Sequence, residues 1–529
     1  MDRRQFLQNA LPAGLALPSL FKGYQLNALA ANNPLVRALM GPPALTDHVL
    51  VLIQLSGGND GLNTVIPLEY YSQYLNARPN IYIPKEKALH LAGIDKIGLH
   101  PALTGLQNLY GEGKLNIIQS VGYPSPNFSH FRATDIWMTA SASAEVLSTG
   151  WNGRFLDYEY PNYPTGYPNP TMPDPLGIRI GSVSTLNFQG PSINMAMSIT
   201  NPTNFYNLLS GVQDPVPDTP AGKELSYVRT LAQETQLYAQ VIKNAAAKVT
   251  QQSTYPANNA LADQLKIVAR LIAGGLRTPV YLVSYGSFDT HSRQVDSTDT
   301  TTGAHANLLQ NLGDAIKAFQ DDLQYLQIEN RVMGMTFSEF GRRIKSNAST
   351  GTDHGSAAPV FVFVKGVAPG VTGNTPVLPG NASVNDNLDY QYDFRNIYST
   401  LLNNWFCVDD SGLEAILYKN YDPLPLVNDS TCRPGGGNPT LTGNSLITNY
   451  PNPFRTTTTI YFKSTGGHIT IRLADTNGQW LQTLVDADYP AGNFSITFNG
   501  GNLSSSIYYA HFQNGSAHQV RAISKMNQH

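Results

Sequence analysis

His48-Val49-Leu50-Val51-Leu52-Ile53-Gln54-Leu55, followed at once by Ser56-Gly57-Gly58-Asn59-Asp60-Gly61, is the stretch on which the fold turns. Its first half is a nearly continuous apolar run, the pattern of a central parallel strand buried on both faces. Its second half is a glycine-rich polar turn that presents a carboxylate. The same two-part pattern recurs three times. Leu115–Val121 runs into Gly122-Tyr123-Pro124-Ser125-Pro126-Asn127, and Pro279–Tyr285 into Gly286-Ser287-Phe288-Asp289-Thr290-His291. Arg331–Phe337 runs into Ser338-Glu339-Phe340-Gly341-Arg342-Arg343. Between these runs the apolar period becomes helical, with Leu308, Leu309, Leu312, Ile316, Phe319 and Leu323 on one face and a second such stretch from Leu261 to Ile272. Strands alternating with helices predict an α/β domain, a mostly parallel sheet flanked by helices. Ligands of such sheets gather beyond the carboxyl ends of the strands, where all four polar clusters fall, so they predict one composite site.

Further along, the texture changes twice. Residues from about Gly150 to Pro217 are rich in Tyr, Asn, Pro and Gly without a helical period, and read as an irregular insertion lying over the sheet as a substrate rim. Arg433-Pro434-Gly435-Gly436-Gly437-Asn438-Pro439 has linker composition. Beyond it, short alternating runs at Thr458–Phe462, Ile469–Leu473, Phe494–Phe498 and Ile507–Ala510 predict a small C-terminal antiparallel β-sandwich. The predicted domains are an export signal at 1–30, an α/β domain at 45–425, a linker at 426–445 and the sandwich at 446–529.

The 529 residues allow a large domain plus a smaller one. A net charge of −3 and a pI near 6.4 provide no basic field for nucleic acid. With two cysteines, Cys407 and Cys432, neither a thiolate zinc cluster nor a disulfide framework can form, and a single bridge between them is left open. Asp2-Arg3-Arg4-Gln5-Phe6-Leu7, a modest apolar stretch and Ala28-Leu29-Ala30 read as a twin-arginine export signal. No later segment is long and apolar enough for a transmembrane helix.

Asp60, Asp289, His291, Asp353 and His354 are oxygen and imidazole donors in turns, many of them flanked by glycine, and they suit one or two divalent cations, zinc or manganese first. Asp289-Thr290-His291 is an i, i+2 pair that faces one way in extended backbone. In Gly351-Thr352-Asp353-His354-Gly355 the glycines permit the tight backbone that adjacent ligands need. Ser129 precedes a helical run, where a hydroxyl is either a cap or, beside a cation, a nucleophile. His130 either assists a leaving group or packs. Arg342 and Arg343 either clamp a tetrahedral anion or pair with structural carboxylates. His100 reads as structural, His305 as a remote third-ligand option, and Asp393 with Arg395 as an ion pair or a site.

The ordered set Gly57–Asn63, Gly98–Leu103, Ser129-His130-Phe131, Asp289-Thr290-His291, Ser338–Arg342 and Thr352–Gly355, spanning Asp47 to Trp405, resembles the twin-arginine-exported domain-of-unknown-function family 1501. That family is similar to the alkaline-phosphatase and sulfatase superfamily. The resemblance implies that Asp60 stands at the first metal aspartate, Ser129 at the nucleophile, and Asp289 with His291 and Asp353 with His354 at two metal pairs. The chain departs from that pattern: its first pair is Asp-x-His instead of Asp-x-x-x-His, and no histidine follows His354 until His468. Asp393 or Glu339 would take the missing place, or the second site is empty. There is no Cys-x-Pro-x-Arg sulfatase signature. Asn449-Tyr450-Pro451-Asn452-Pro453-Phe454, Asp475–Gln479 and Ala491–Phe494 resemble the sorting domain read by the type IX secretion machinery of Bacteroidetes-like bacteria. Together these imply a secreted or surface-attached metal-dependent hydrolase of phosphate or sulfate esters, small-molecule or polysaccharide. The alternative is a non-catalytic binding or structural protein that retains the fold.

Overall fold

The computed structural model describes residues 46–200, 238–427 and 447–525, apart from 451–453, 455, 456, 477, 505 and 516. The stretch at 1–30 read as an export signal and the stretch Arg433–Pro439 read as a linker lie outside the described residues, as does Cys432; Cys407 is disulfide-bonded. The chain divides into two compact units between Asn428 and Asp429.

The larger unit is built on a nine-stranded sheet. In chain order its strands and those of an adjoining hairpin are β1 (Val49–Leu55), β2 (Leu115–Gly122), β3 (Gly177–Ile180), β4 (Ala196–Ile199), β5 (Val280–Tyr285), β6 (Val332–Phe337), the hairpin β7 (Gly341–Ser346) and β8 (Thr352–Gly355), then β9 (Ala358–Phe363), β10 (Gly370–Thr372) and β11 (Tyr392–Asp393). The spatial order is β10-β2-β9-β6-β1-β5-β3-β4, with β11 also pairing β2. Strand β1 is central and parallel to β5 and β6, with Leu52 opposite Leu282 and Met335. The one reversed strand is β9, antiparallel to both β2 and β6. A short connection explains it: the chain leaves β6, forms the β7–β8 hairpin at that same end and returns beside β6 without a crossover.

All seven residues of β1 are buried, and the pleat divides them between two cores. Leu50 and Leu52 join Val280, Leu282, Met333 and Met335 under α2 (His130–Thr139), α3 (Trp151–Glu159), α6 (Phe394–Thr400) and α7 (Asp410–Leu417). Val49, Val51 and Ile53 join Tyr281, Val283 and Phe361 under α1 (Thr104–Gly111), α4 (Ala260–Ala273) and α5 (Ala304–Tyr325). The apolar period from Leu309 to Leu323 is the buried stripe of α5. Truncating a side chain such as Leu52 to Ala would cost about 2–5 kcal/mol in a core of this kind.

The segment from Gly150 corrects one expectation. Instead of an irregular rim it contributes α3 and two parallel sheet strands, β3 and β4. Helix α3 buries Trp151, Asn152, Gly153, Arg154, Phe155, Leu156 and Glu159, so polar residues occupy inward positions and no amphipathic stripe advertises the helix. Residues 201–237 lie outside the description.

The smaller unit is antiparallel: β12 (Ile447–Tyr450), β13 (Thr457–Ala474), β14 (Trp480–Asn499), β15 (Ser506–Asn514) and β16 (Ala517–Lys525). The two runs read as separate strands at 458–462 and 469–473 are one long strand. Its inward parity changes from Ile460 and Phe462 to Ile469 and Ile471 across Gly466 and Gly467, both at positive φ, so the strand pairs β12 before the glycines and β15 after them.

Candidate metal centre

Loops at the carboxyl ends of β1, β2, β5 and β6 converge. Gly57 and Gly58 have φ of +121° and +76°, and a Cβ on either would collide, at 2.4 Å with the Asp289 backbone nitrogen and at 2.3 Å with the Phe340 ring. The β1 loop is thereby pressed against its neighbours. Gly57 N–H donates to Glu339 Oε1 at 2.8 Å and Asn59 N–H to Ser338 Oγ at 3.0 Å, tying it to the end of β6.

Asp289 and His291 follow β5, His354 lies on β8, and His130 opens α2. One ligand atom from each of His130, Asp289 and His354 falls within 4.8 Å of the others. His130 Nε2 is 3.6 Å from Asp289 Oδ2, while Asp289 Oδ1 lies 3.2 Å from His291 Nε2 and 3.4 Å from His354 Nε2. The far side of each ring is held by oxygen. His130 Nδ1 is 2.8 Å from Glu339 Oε1, His291 Nδ1 is 3.2 Å from Asp353 Oδ1, and His354 Nδ1 is 2.9 Å from the Phe128 carbonyl. For His130 and His354 an acceptor on Nδ1 favours the proton there and a lone pair on Nε2, the arrangement that metal-binding histidines use; His291, with a carboxylate oxygen at 3.2 Å from each nitrogen, adopts it when its Nε2 meets a cation. Two such Nε2 atoms, of His291 and His354, face each other at 2.8 Å, a contact that a shared cation or proton stabilises. The donor set therefore fits a divalent ion of the zinc or manganese type.

Electrostatics agree with that set. Burial pushes the Asp289 carboxyl up, but the hydrogen bond and charge of Arg342 outweigh it and hold the group below the ordinary carboxylate range. Burial lowers His354, the hydrogen bond to the Phe128 carbonyl opposes it, and Arg342, His130 and His291 add to the lowering, a net shift toward the neutral ring that metal binding requires. Asp353 is held low first by Asn347 and then by His291.

The remaining residues fall into other roles. Asp60 is fully buried, with Arg78 Nη1 at 2.8 and 2.6 Å from its two oxygens and Gln294 Nε2 at 2.5 Å. Burial raises its carboxyl, and Arg78 more than reverses this. Its charge is met internally, apart from the imidazoles. Gln294 Oε1 also accepts from Thr290 Oγ1 and Thr352 Oγ1, so the Asp60 knot braces the loops that carry Asp289, His291, Asp353 and His354. Arg342, 1% exposed, donates to the carbonyls of Gly57, Gly58, Phe288 and Thr352 and to Asp289 Oδ1 at 2.6 Å. Ser129 is exposed at the α2 cap position and its side chain makes no cap hydrogen bond; it sits between Phe128 and His130, both of which touch the cluster. His305, pushed down to about 4 by burial, meets Asn59 Oδ1 at 3.0 Å, and His100, pushed down to about 3 by burial, accepts Ala102 N–H. Asp393 is paired with Arg395 at 2.5 Å.

Sequence reasoning missed Arg78 and Gln294. Arg78 lies in Asn76-Ala77-Arg78-Pro79, which carries no chemical signature, and only its burial reveals its role.

Residues 214–410 match the family described as "Protein of unknown function (DUF1501)", and residues 448–525 match the "Secretion system C-terminal sorting domain". The first match begins after the Gly57–Asn63 and Ser129 motifs. No curated protein matches the chain. Among solved structures, a protein in the alkaline phosphatase superfamily from Vibrio parahaemolyticus is 10% identical over 94% of this chain and 91% of its own, with a TM-score of 0.34. The PsFucS1 sulfatase from Pseudoalteromonas sp. is 11% identical over 85% and 84%, with a TM-score of 0.33. PorZ, a surface component of the type IX secretion system of Porphyromonas gingivalis, is 14% identical over 19% of this chain and 13% of its own, with a TM-score of 0.13. The chain thus carries a DUF1501 segment and a sorting domain of the kind found on secreted or cell-surface proteins. Among the described residues no helix is long and apolar enough to cross a membrane.

Proposed function

We propose that this chain is an exported hydrolase of phosphate or sulfate esters, with Ser129 as nucleophile beside one divalent cation held by His130, Asp289, His291 and His354. The observation that carries the reading is the convergence of three imidazoles on Asp289, each with its Nδ1 on an oxygen acceptor. When bound, the cation supplies Lewis-acid polarisation of an ester oxygen and lowers the pKa of a nearby hydroxyl. The chain's own residues do the rest. Glu339 orients His130, Asp353 orients His291, and Arg342 fixes Asp289 so that Oδ2 faces His130. Ser129 keeps its hydroxyl out of the helix cap, at the positive end of α2, where an anionic ester is received.

His130 thus moves from leaving-group assistant to ligand, and Asp353 and Glu339 from ligands to the groups behind ligands. Asp60 braces the loops. Its internal pairing with Arg78 favours the second reading, a secreted binding or structural protein with one bound ion, because the superfamily's first metal aspartate is then out of service. Full-length protein purified after export and assayed on aryl phosphate and aryl sulfate esters decides between them. The hydrolase reading expects metal-dependent turnover that Ser129→Ala reduces by about 10³-fold or more while metal content is unchanged. Full turnover in Ser129→Ala removes the mechanism, and a metal-loaded protein without turnover leaves the binding reading.

A further inference from the structure

Strand β7 carries two adjacent arginines, and the pleat separates them. Arg342 turns inward and is filled by carbonyl oxygens and Asp289. Arg343 shares none of these contacts and is half-buried. Its Nε donates to the His354 carbonyl at 3.0 Å, and its guanidinium carbon lies 5.8 Å from the centre of the Phe128 ring. The head group is therefore fixed between a cluster histidine and the residue preceding Ser129. Both Nη groups are without a hydrogen bond or ion pair among the described residues. The carboxylates that feel its charge are occupied elsewhere: Asp353 accepts from His291 and Asn347, and Asp386 from Ser383.

A half-buried guanidinium anchored through Nε, with an open Nη pair, is a fork in need of a planar or tetrahedral oxyanion. We infer that Arg343, and not Arg342, is the residue that grips the phosphate or sulfate group of the substrate; the inference rests on the hydrolase reading and names the specificity residue of that same site. Lys345, two residues along β7, also half-buried and likewise unpaired among the described residues, supplies an internal control. It bears the same charge without the anchored fork.

The test titrates inorganic phosphate and inorganic sulfate into manganese-loaded full-length protein by calorimetry, with metal content measured on the same samples. Arg343→Ala is expected to keep its metal and lose about 10- to 100-fold in affinity for the oxyanion. Arg343→Lys recovers part of the loss, because charge returns without the bidentate fork, and Lys345→Ala stays within about twofold, as expected of a screened, unbonded charge. Unchanged affinity in metal-loaded Arg343→Ala overturns the assignment alone, leaving hydrolysis intact. An equal loss in Lys345→Ala reduces the effect to a general field and overturns it as well, as does loss of metal from Arg343→Ala. Wild-type protein that binds neither anion overturns this inference and the hydrolase reading together.

Discussion

Asp60 and Asp289 stand at the ends of neighbouring parallel strands, each in a glycine-containing turn, yet they have opposite fates. Asp60 is sealed, its side chain fully buried and both oxygens taken by Arg78. Asp289 is 47% exposed at its side chain; Arg342 takes Oδ1 and leaves Oδ2 toward His130. Both carboxylates are held below the ordinary range, so acidity does not distinguish them. What distinguishes them is whether the fixed guanidinium consumes the whole carboxylate or half of it. A carboxylate saturated by a buried cation is structural, and one left partly open among imidazole lone pairs can bind an ion.

The contrast can be broken most forcefully at Arg78. Arg78→Ala strands a buried carboxylate and should cost about 3–5 kcal/mol in denaturant unfolding. Because the folded Asp60 pKa is depressed, its stabilisation is present above the unfolded value of 3.8 and disappears as pH falls toward the folded value. A cost below about 1 kcal/mol, as for a surface pair, would show that Asp60 is not held by Arg78. Next in size is His305, which packs in the same polar layer. Its folded pKa of about 4 lies below the unfolded 6.5, so the unfolded chain binds the proton first. Stability is full above pH 6.5 and falls by up to about 3 kcal/mol as pH drops to 4. His305→Gln should flatten that limb of the stability curve, and an unaltered limb would contradict the assignment. On the open side, Glu339→Gln leaves His130 without its carboxylate and should weaken metal binding about 10- to 100-fold in a chelator competition. The smallest effect is on the stability of Asp289→Asn, expected within about 1 kcal/mol when both proteins are unfolded metal-free, even though the variant no longer binds the ion. A loss as large as that of Arg78→Ala would erase the difference between the two carboxylates.

Much of this was legible in the chain. The apolar runs at 49–55, 115–121, 280–285 and 332–337 are sheet strands because strands buried on both faces need no alternation. The polar turns that follow them do meet at one end of the sheet. Helix α3 escaped because it is buried around most of its circumference, and β3 and β4 because four-residue strands among Pro, Asn and Gly carry too little pattern. Within the proposed site, residue type picked out side chains that the structure brings together but could not rank them. On the proposed reading His130, Glu339 and Asp353 exchange roles according to which nitrogen or oxygen each presents, a matter of side-chain direction that spacing does not encode. Asp60 read as a ligand because its guanidinium partner comes from Arg78, in an unremarkable loop.

Metal ions per chain, counted by mass spectrometry in the protein and in its Asp60→Asn and His354→Ala variants, separate the two carboxylates most sharply. One divalent ion is expected in the wild type and in Asp60→Asn, and none retained in His354→Ala. Two ions in the wild type falling to one in Asp60→Asn would make Asp60 a ligand after all and contradict the division between the two carboxylates.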